Sequence, residues 1–191
     1  MKRLIAEIRN CVICAPYLKD GVNPVFSIDP RSKIAIIGQA PGSIVHRTGI
    51  PWDDKSGERL RDWLGVSTDD FYDEKQFALI PMGFCYPGKG ISGDLPPRPE
   101  CAPKWHDQIF KELKEVKLTL LIGSYSQHYY LGPQVKKTLT DTVRNYKQYL
   151  PKYLPLPHPS PRNNIWLKKN PWFNSEVIPQ LQEIAKKLST T

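Results

Sequence analysis

Lys33-Ile34-Ala35-Ile36-Ile37-Gly38-Gln39-Ala40-Pro41-Gly42 is the stretch on which the fold turns. Its first half is a continuous apolar run closed by glycine, the pattern of a strand buried on both faces. Its second half is a stiff turn whose glycines let backbone amides approach a ligand closely. A strand ending in such a turn is common by itself. This one lacks the Lys-Ser/Thr of a P-loop and the third glycine of a dinucleotide fingerprint.

Outward from this run, strand-like and helix-like segments alternate. Met1–Arg9 has the charged, amphipathic spacing of a helix. Ser56–Leu64 reads as a helix with Leu60, Trp63 and Leu64 on one face, and Phe77–Ile80 as a second strand. A Gly/Pro-rich loop, Pro81–Pro103, leads to a helix over Trp105–Val116 and a third strand, Leu118–Gly123. Ser124–Leu131 reads as a short helix capped by Gly132, Val135–Tyr146 as another helix, and Tyr153–Leu156 as the fourth strand. Pro171–Leu188 closes the chain as a helix with proline in its first turn. This alternation implies a parallel sheet with helices on both faces. With no repeat and no linker, residues 1–191 are expected to form one α/β domain.

Composition narrows the function. A chain of 191 residues, 40% hydrophobic and 24% charged, has the make-up of a globular domain with a substantial core, which excludes wholesale disorder. Its 19 prolines sit in loops such as Leu95–Pro99 and Pro155–Pro161, as suits loops held in fixed shape around a ligand. The net charge of +8 and the pI near 9.3 fit a polyanionic partner, nucleic acid first, although charge alone serves solubility equally well. No stretch reaches membrane-spanning length, and the first residues lack a secretory apolar core. A cytoplasmic protein with no membrane partner is expected, its cysteines reduced or metal-bound.

The four cysteines are Cys11, Cys14, Cys85 and Cys101. A C-x2-C pair places two thiolates on one tight turn, and the other two lie in the Pro/Gly-rich loop, so a shared centre would pin that loop to the N-terminus. Four cysteine ligands suit zinc or an iron–sulfur cluster. The plain alternative is four unrelated buried thiols.

Two further segments carry chemistry. After the glycine turn comes Thr48-Gly49-Ile50-Pro51-Trp52, followed by Asp53-Asp54-Lys55. A lone tryptophan is ordinarily a core residue, but charged neighbours put Trp52 at a polar border. His158-Pro159-Ser160-Pro161-Arg162-Asn163 follows the fourth strand and has two prolines in its first four positions, so its backbone is pre-shaped. It offers an imidazole on a rigid loop, where the bland alternative is a surface turn with an incidental histidine. In an open parallel sheet, this loop and the glycine turn can meet at the carboxyl edge, where ligands bind.

These segments together resemble the uracil-DNA glycosylase superfamily over roughly Cys11 to Phe173. The cysteine layout and the His-Pro start are closest to the iron–sulfur family 4 type, and the full second motif is similar to that of the single-strand-selective monofunctional enzymes. The resemblance implies a three-layer α/β/α sandwich around a four-stranded parallel sheet and hydrolysis of the N-glycosidic bond of a flipped base in single-stranded or damaged DNA. It implies a structural [4Fe–4S] cluster on Cys11, Cys14, Cys85 and Cys101, with zinc as the alternative, in a monomeric protein. Gly38, Gln39, Ala40, Pro41 and Gly42 would line the base site with Pro81, and the Trp52 ring would stack on the base, as an aromatic face does on any base. His158 would donate a hydrogen bond to a base carbonyl, stabilising the departing anion. Ser160, Pro161, Arg162 and Asn163 would contact DNA, holding phosphates or filling the space the base leaves, with Lys168 and Lys169 adding charge nearby.

Three positions depart from the pattern. Gln39 stands where family 4 has Glu, and Ala40 where the single-strand-selective and family 1 enzymes have Asn and Asp. Gln39 can position a water but cannot take its proton, and Ala40 can do neither. Pro81 replaces the Asn that reads the pyrimidine edge, so discrimination between bases should weaken. Asp53 or Asp54 is the acid available to substitute. The expected activity is therefore a monofunctional glycosylase of reduced rate or altered lesion preference. The competing readings are a DNA binder without activity, a nucleoside or nucleotide hydrolase using the same crevice, and a zinc-stabilised structural protein.

Overall fold

Four apolar runs pair side by side: β1 (Ile34–Gly38), β2 (Phe77–Pro81), β3 (Leu118–Ile122) and β4 (Tyr153–Leu156). The computed structural model describes residues 1–189, so the end of the expected 1–191 domain, Thr190 and Thr191, lies outside the described residues. All pairings within the sheet are parallel, in the order β2-β1-β3-β4. Ile36 sits opposite both Leu79 and Leu120, and Gly38 opposite Pro81.

Residue alternation along β1 divides the core in two. Ala35 and Ile37 face a cluster with Leu4, Ile8, Trp105 and Ile109, from the helices α1 (Lys2–Arg9) and α5 (Cys101–Glu112). Ile34 and Ile36 face the other side, against Leu60, Phe71, Val143 and Leu181. Those four come from α3 (Lys55–Leu64), α4 (Thr68–Tyr72), α7 (Leu139–Arg144) and α9 (Ile178–Ser189). The result is a three-layer sandwich with both sheet faces buried, which is why the strands read as unbroken apolar runs. The remaining helices are α2 (Ser43–Thr48), α6 (Ser124–Leu131) and α8 (Asn164–Lys169).

The sheet edges differ in kind. Outside β2, Ser27 forms an antiparallel bridge with Leu79, exchanging both backbone hydrogen bonds. On the other side, β4 carries Pro155 opposite Leu121.

Three helices depart from the sequence expectation. The one expected over Trp105–Val116 runs over Cys101–Glu112: Pro103 sits in its first turn, where a missing N–H costs nothing, and the buried Leu113 turns away after it. The one expected over Val135–Tyr146 is only Leu139–Arg144, begun by the Thr138 hydroxyl accepting from Asp141 N–H at 3.0 Å. The one expected over Pro171–Leu188 starts as a wide π-type turn, Phe173–Val177, before α9. Pro179, in the first turn of α9, cannot donate to the carbonyl four residues back, and the wider turn accommodates its ring.

Candidate active site

Strand order reverses between β1 and β3, each of which leads to a neighbour on its own side, so their carboxyl ends diverge and leave a crevice. A cavity of about 440 Å³ lies at this edge. Gly38, Gln39, Ala40, Pro41 and Gly42 line it from β1, Pro81 from β2, and His158, Ser160, Arg162 and Asn163 from the loop after β4. Trp52 completes the set. Of the residues expected to serve a base or DNA, Pro161 does not line the cavity, and neither do Lys168 and Lys169, which were expected to add charge nearby.

The His158 loop is held from several directions. Gln127, buried under the sheet edge, donates through Nε2 to the carbonyls of Leu156 (2.9 Å) and Leu121 (3.3 Å), fixing the end of β4. Arg59 of α3 donates to the Ser160 carbonyl (3.2 Å), and Asn163 Nδ2 donates to the His158 carbonyl (2.8 Å). The Ser160 hydroxyl accepts from Arg162 N–H at 3.2 Å, starting a short 3-10 turn. Ser160 N–H lies 3.2 Å from His158 Nδ1, which must then accept. The ring proton is thereby assigned to Nε2, leaving a donor on the other side of the ring. Burial pushes the His158 pKa below its ordinary value, partly opposed by the charges of Asp54 and Asp94. The imidazole is therefore neutral at pH 7.

Trp52 has φ 59°, the one positive φ outside glycine among the described residues. Such a backbone costs on the order of 1–3 kcal/mol and persists only where its surroundings impose it. Tyr72 donates to the Pro51 carbonyl (3.0 Å), and Arg61 to the Trp52 carbonyl (3.4 Å). A Cβ on Gly57 would collide with that same carbonyl, and a Cβ on Gly38 would come within 2.8 Å of the indole Cζ2. Two glycines on different elements thus make room for one tryptophan. Its ring centre is 5.8 Å from that of His158, tilted by 35°.

Two carboxylates complete the polar lining. Asp54 caps α3, its Oδ1 accepting from Gly57 N–H at 2.9 Å. Asp94 Oδ1 accepts from the Tyr86 hydroxyl at 3.3 Å. The remaining oxygen of each faces Gly42, 3.9 Å and 3.7 Å from where a Cβ would stand. Asp53 is not part of the lining. Asp94 escaped the sequence reading because nothing local returns the chain to the β1 edge. The only signal was the close spacing of Gly88, Gly90 and Gly93 inside a loop bounded by two cysteines.

The cysteines gather elsewhere, on the α1 side of the sheet. All four line one small apolar cavity with Ile8, Leu18, Phe84 and Trp105. Cys11 and Cys14 follow α1, Cys85 follows β2, and Cys101 opens α5. Burial pushes the Cys85 thiol up to about 11 and the Cys101 thiol up to about 12. Among the described residues, no three His, Cys, Asp or Glu side chains surround a single ion. Four soft thiolates lining one apolar pocket are a donor set that suits an iron–sulfur cluster or zinc.

The other histidines serve the fold. His46 lies on α2 with Nε2 3.0 Å from the Asp20 carbonyl, outside the cavity lining. His106 is buried between the Tyr130 hydroxyl (2.6 Å) and the Pro81 carbonyl (3.1 Å), and His128 bonds the Ser124 carbonyl one turn back (2.7 Å). Among the described residues, no helix is long and apolar enough to cross a membrane.

A family model, the uracil DNA glycosylase superfamily, matches residues 26–182. The match spans all four strands and every residue named above as lining the cavity at the β1–β3 crevice, and begins after Cys11 and Cys14.

Proposed function

The chain belongs to the uracil DNA glycosylase superfamily, and on that premise we propose that it hydrolyses the N-glycosidic bond of a deaminated base flipped out of DNA, without cutting the strand. The observation that carries this reading is the Nε2–H donor of a neutral His158 beside an aromatic platform, Trp52, at the mouth of the β1–β3 crevice. The base enters the cavity and stacks on Trp52. His158 Nε2–H donates to a base carbonyl oxygen. As the C1′–N bond breaks, both electrons leave with the base and positive charge develops on the sugar. The hydrogen bond strengthens as the base becomes an anion, which is how it accelerates the step. A water then bonds to C1′ and loses a proton, and the base anion takes one up.

Asp54, rather than Gln39 or Ala40, is the group we assign to that water. One of its oxygens is committed to capping α3, and the other is directed toward Gly42. Asp54→Asn separates the two roles, because asparagine caps a helix as well as aspartate but cannot take a proton. Its excision rate should fall about tenfold, less than for full base catalysis because the bond breaks before water attacks. Thermal stability should stay close to wild type. A rate within twofold of wild type, in a variant of unchanged stability, would remove Asp54 from this role.

We assign Cys11, Cys14, Cys85 and Cys101 to a [4Fe–4S] cluster, in the manner of the family 4 enzymes. When bound, the cluster supplies a structural cross-link and an electron-accepting group; no step of base excision runs through it. The four residues would join the N-terminal turn, the loop after β2 and the start of α5. Anaerobically purified protein should be brown, and Cys85→Ser should lose the visible absorbance. A colourless protein containing zinc would replace the cluster with an ion. The partner is DNA, met in the cytoplasm, where cysteines stay reduced.

The decisive experiment incubates the protein with single-stranded and duplex oligonucleotides bearing uracil, hypoxanthine or xanthine, and looks for abasic product. Product from at least one substrate is expected. If none yields product while salt-dependent binding persists, the losses at Gln39, Ala40 and Pro81 have left a DNA-binding protein without activity.

A further inference from the structure

The loop between Cys85 and Cys101 holds a side chain that the excision chemistry does not use. Gly88–Leu95 folds back on itself: Leu95 N–H donates to the Gly88 carbonyl (2.9 Å), Gly90 N–H to the Gly93 carbonyl (2.6 Å), and Lys89 bridges Asp94. At the tip of this ribbon, Ile91 stands entirely in solvent. A single exposed isoleucine is ordinary on a protein surface. The frame around this one is not. Gly88 (φ 97°) and Gly93 (φ 150°) take backbone conformations that side chains disfavour. The Arg162 guanidinium packs on Gly93 and donates to the Ser92 carbonyl (3.4 Å), bracing the ribbon against the His158 loop. Gly93, Asp94 and Leu95 line the same cavity as His158 and Trp52. An apolar tip is thus held at the cavity mouth, with Lys89 beside it and Arg162 at its root.

We propose that Ile91 enters the base stack of duplex DNA and fills the gap vacated by the flipped base. The proposal rests on the cavity being a site for an extruded base. Flipping leaves a space between apolar base faces, which an aliphatic wedge can occupy. Of the residues expected from sequence to fill it, Asn163 donates to the His158 carbonyl, Arg162 lies along the ribbon, and Pro161 lies outside the cavity lining. Lys89 in the ribbon and Arg162 against Ser92 set two positive charges close to the tip, which favours DNA over a protein partner.

The test compares wild type, Ile91→Ala and Ile91→Leu on duplex and single-stranded oligonucleotides carrying the same target base. Binding is also measured on a duplex with a tetrahydrofuran abasic analogue and a neighbouring 2-aminopurine. Only a duplex has a stack to fill, so Ile91→Ala should lose about tenfold in duplex excision and binding, and less than about twofold on single strands. Ile91→Leu should restore the duplex values. The 2-aminopurine should brighten with wild type and Ile91→Leu and stay dark with Ile91→Ala. Wild-type excision with an indistinguishable Ile91→Ala, or equal losses on both substrates, would overturn the wedge alone. A wild-type protein that neither binds nor excises any substrate would overturn the base-site reading and the wedge with it.

Discussion

Excision by His158→Ala should fall by about 10²–10³-fold, the usual cost of removing one donor from a developing anion. The loss should appear in single-turnover rate, while affinity for DNA carrying an abasic analogue changes little, because the donor matters most as charge builds on the base. The pH profile should carry the same signature. Burial lowers the His158 pKa, so the neutral Nε2–H form persists below the pH at which an ordinary histidine protonates. Adding a proton at Nδ1 would also turn an acceptor toward Ser160 N–H into a competing donor. Wild-type excision should therefore stay level as pH falls through 6.5, the ordinary histidine value, and decline only below it. A His158→Ala rate equal to wild type would remove the imidazole from the chemistry altogether.

The second large effect is on stability, and its source is His106. Tyr130 and the Pro81 carbonyl occupy its two ring nitrogens, and burial lowers its pKa from 6.5 to about 4. At pH 7 the residue is neutral folded or unfolded, so nothing is lost. Between pH 6.5 and 4 the unfolded chain binds a proton that the folded chain refuses, and stability falls as pH falls. The gap corresponds to a loss of up to about 3 kcal/mol at pH 4. Urea titrations at pH 7, 5.5 and 4.5 would trace it. Asp29, held down to about 2 by Arg31, adds its own loss only at lower pH, as the carboxylate is protonated. His106→Gln should lower stability at neutral pH yet flatten the slope. An unchanged slope would place the acid sensitivity elsewhere.

How much of this could be read from residues alone depends on how local the cause is. The four strands were legible because burial on both faces leaves continuous apolar runs, and the edge at which Gly38 and His158 meet follows from the parallel pattern. The helices α2, α4 and α8 were not. Each has five or six residues, too few for periodicity, and α4 is set by a single cap, Ser67 accepting from Asp70 N–H. The π-type turn before α9 follows from Pro179, whose effect depends on the helix on either side of it. At the site, Trp52 was legible as a residue but not in its left-handed backbone, which Gly57 and Gly38 permit from elsewhere in the chain. Asp94 and Ile91 were not legible, because their positions depend on a ribbon braced by Arg162, 70 residues away in sequence.

The margins of the sheet bear on how copies of this chain behave at high concentration. A strand with unpaired amides is a template on which another molecule can add its own, the usual route to edge-to-edge aggregation. Here β4 has a proline at position 155, which has no amide to offer, and β2 already exchanges both bonds of Leu79 with Ser27. Neither margin presents a full ladder, so strand addition between copies is blocked on both sides. The chain can therefore carry a fully exposed isoleucine at position 91 without an open sheet margin beside it to recruit further copies.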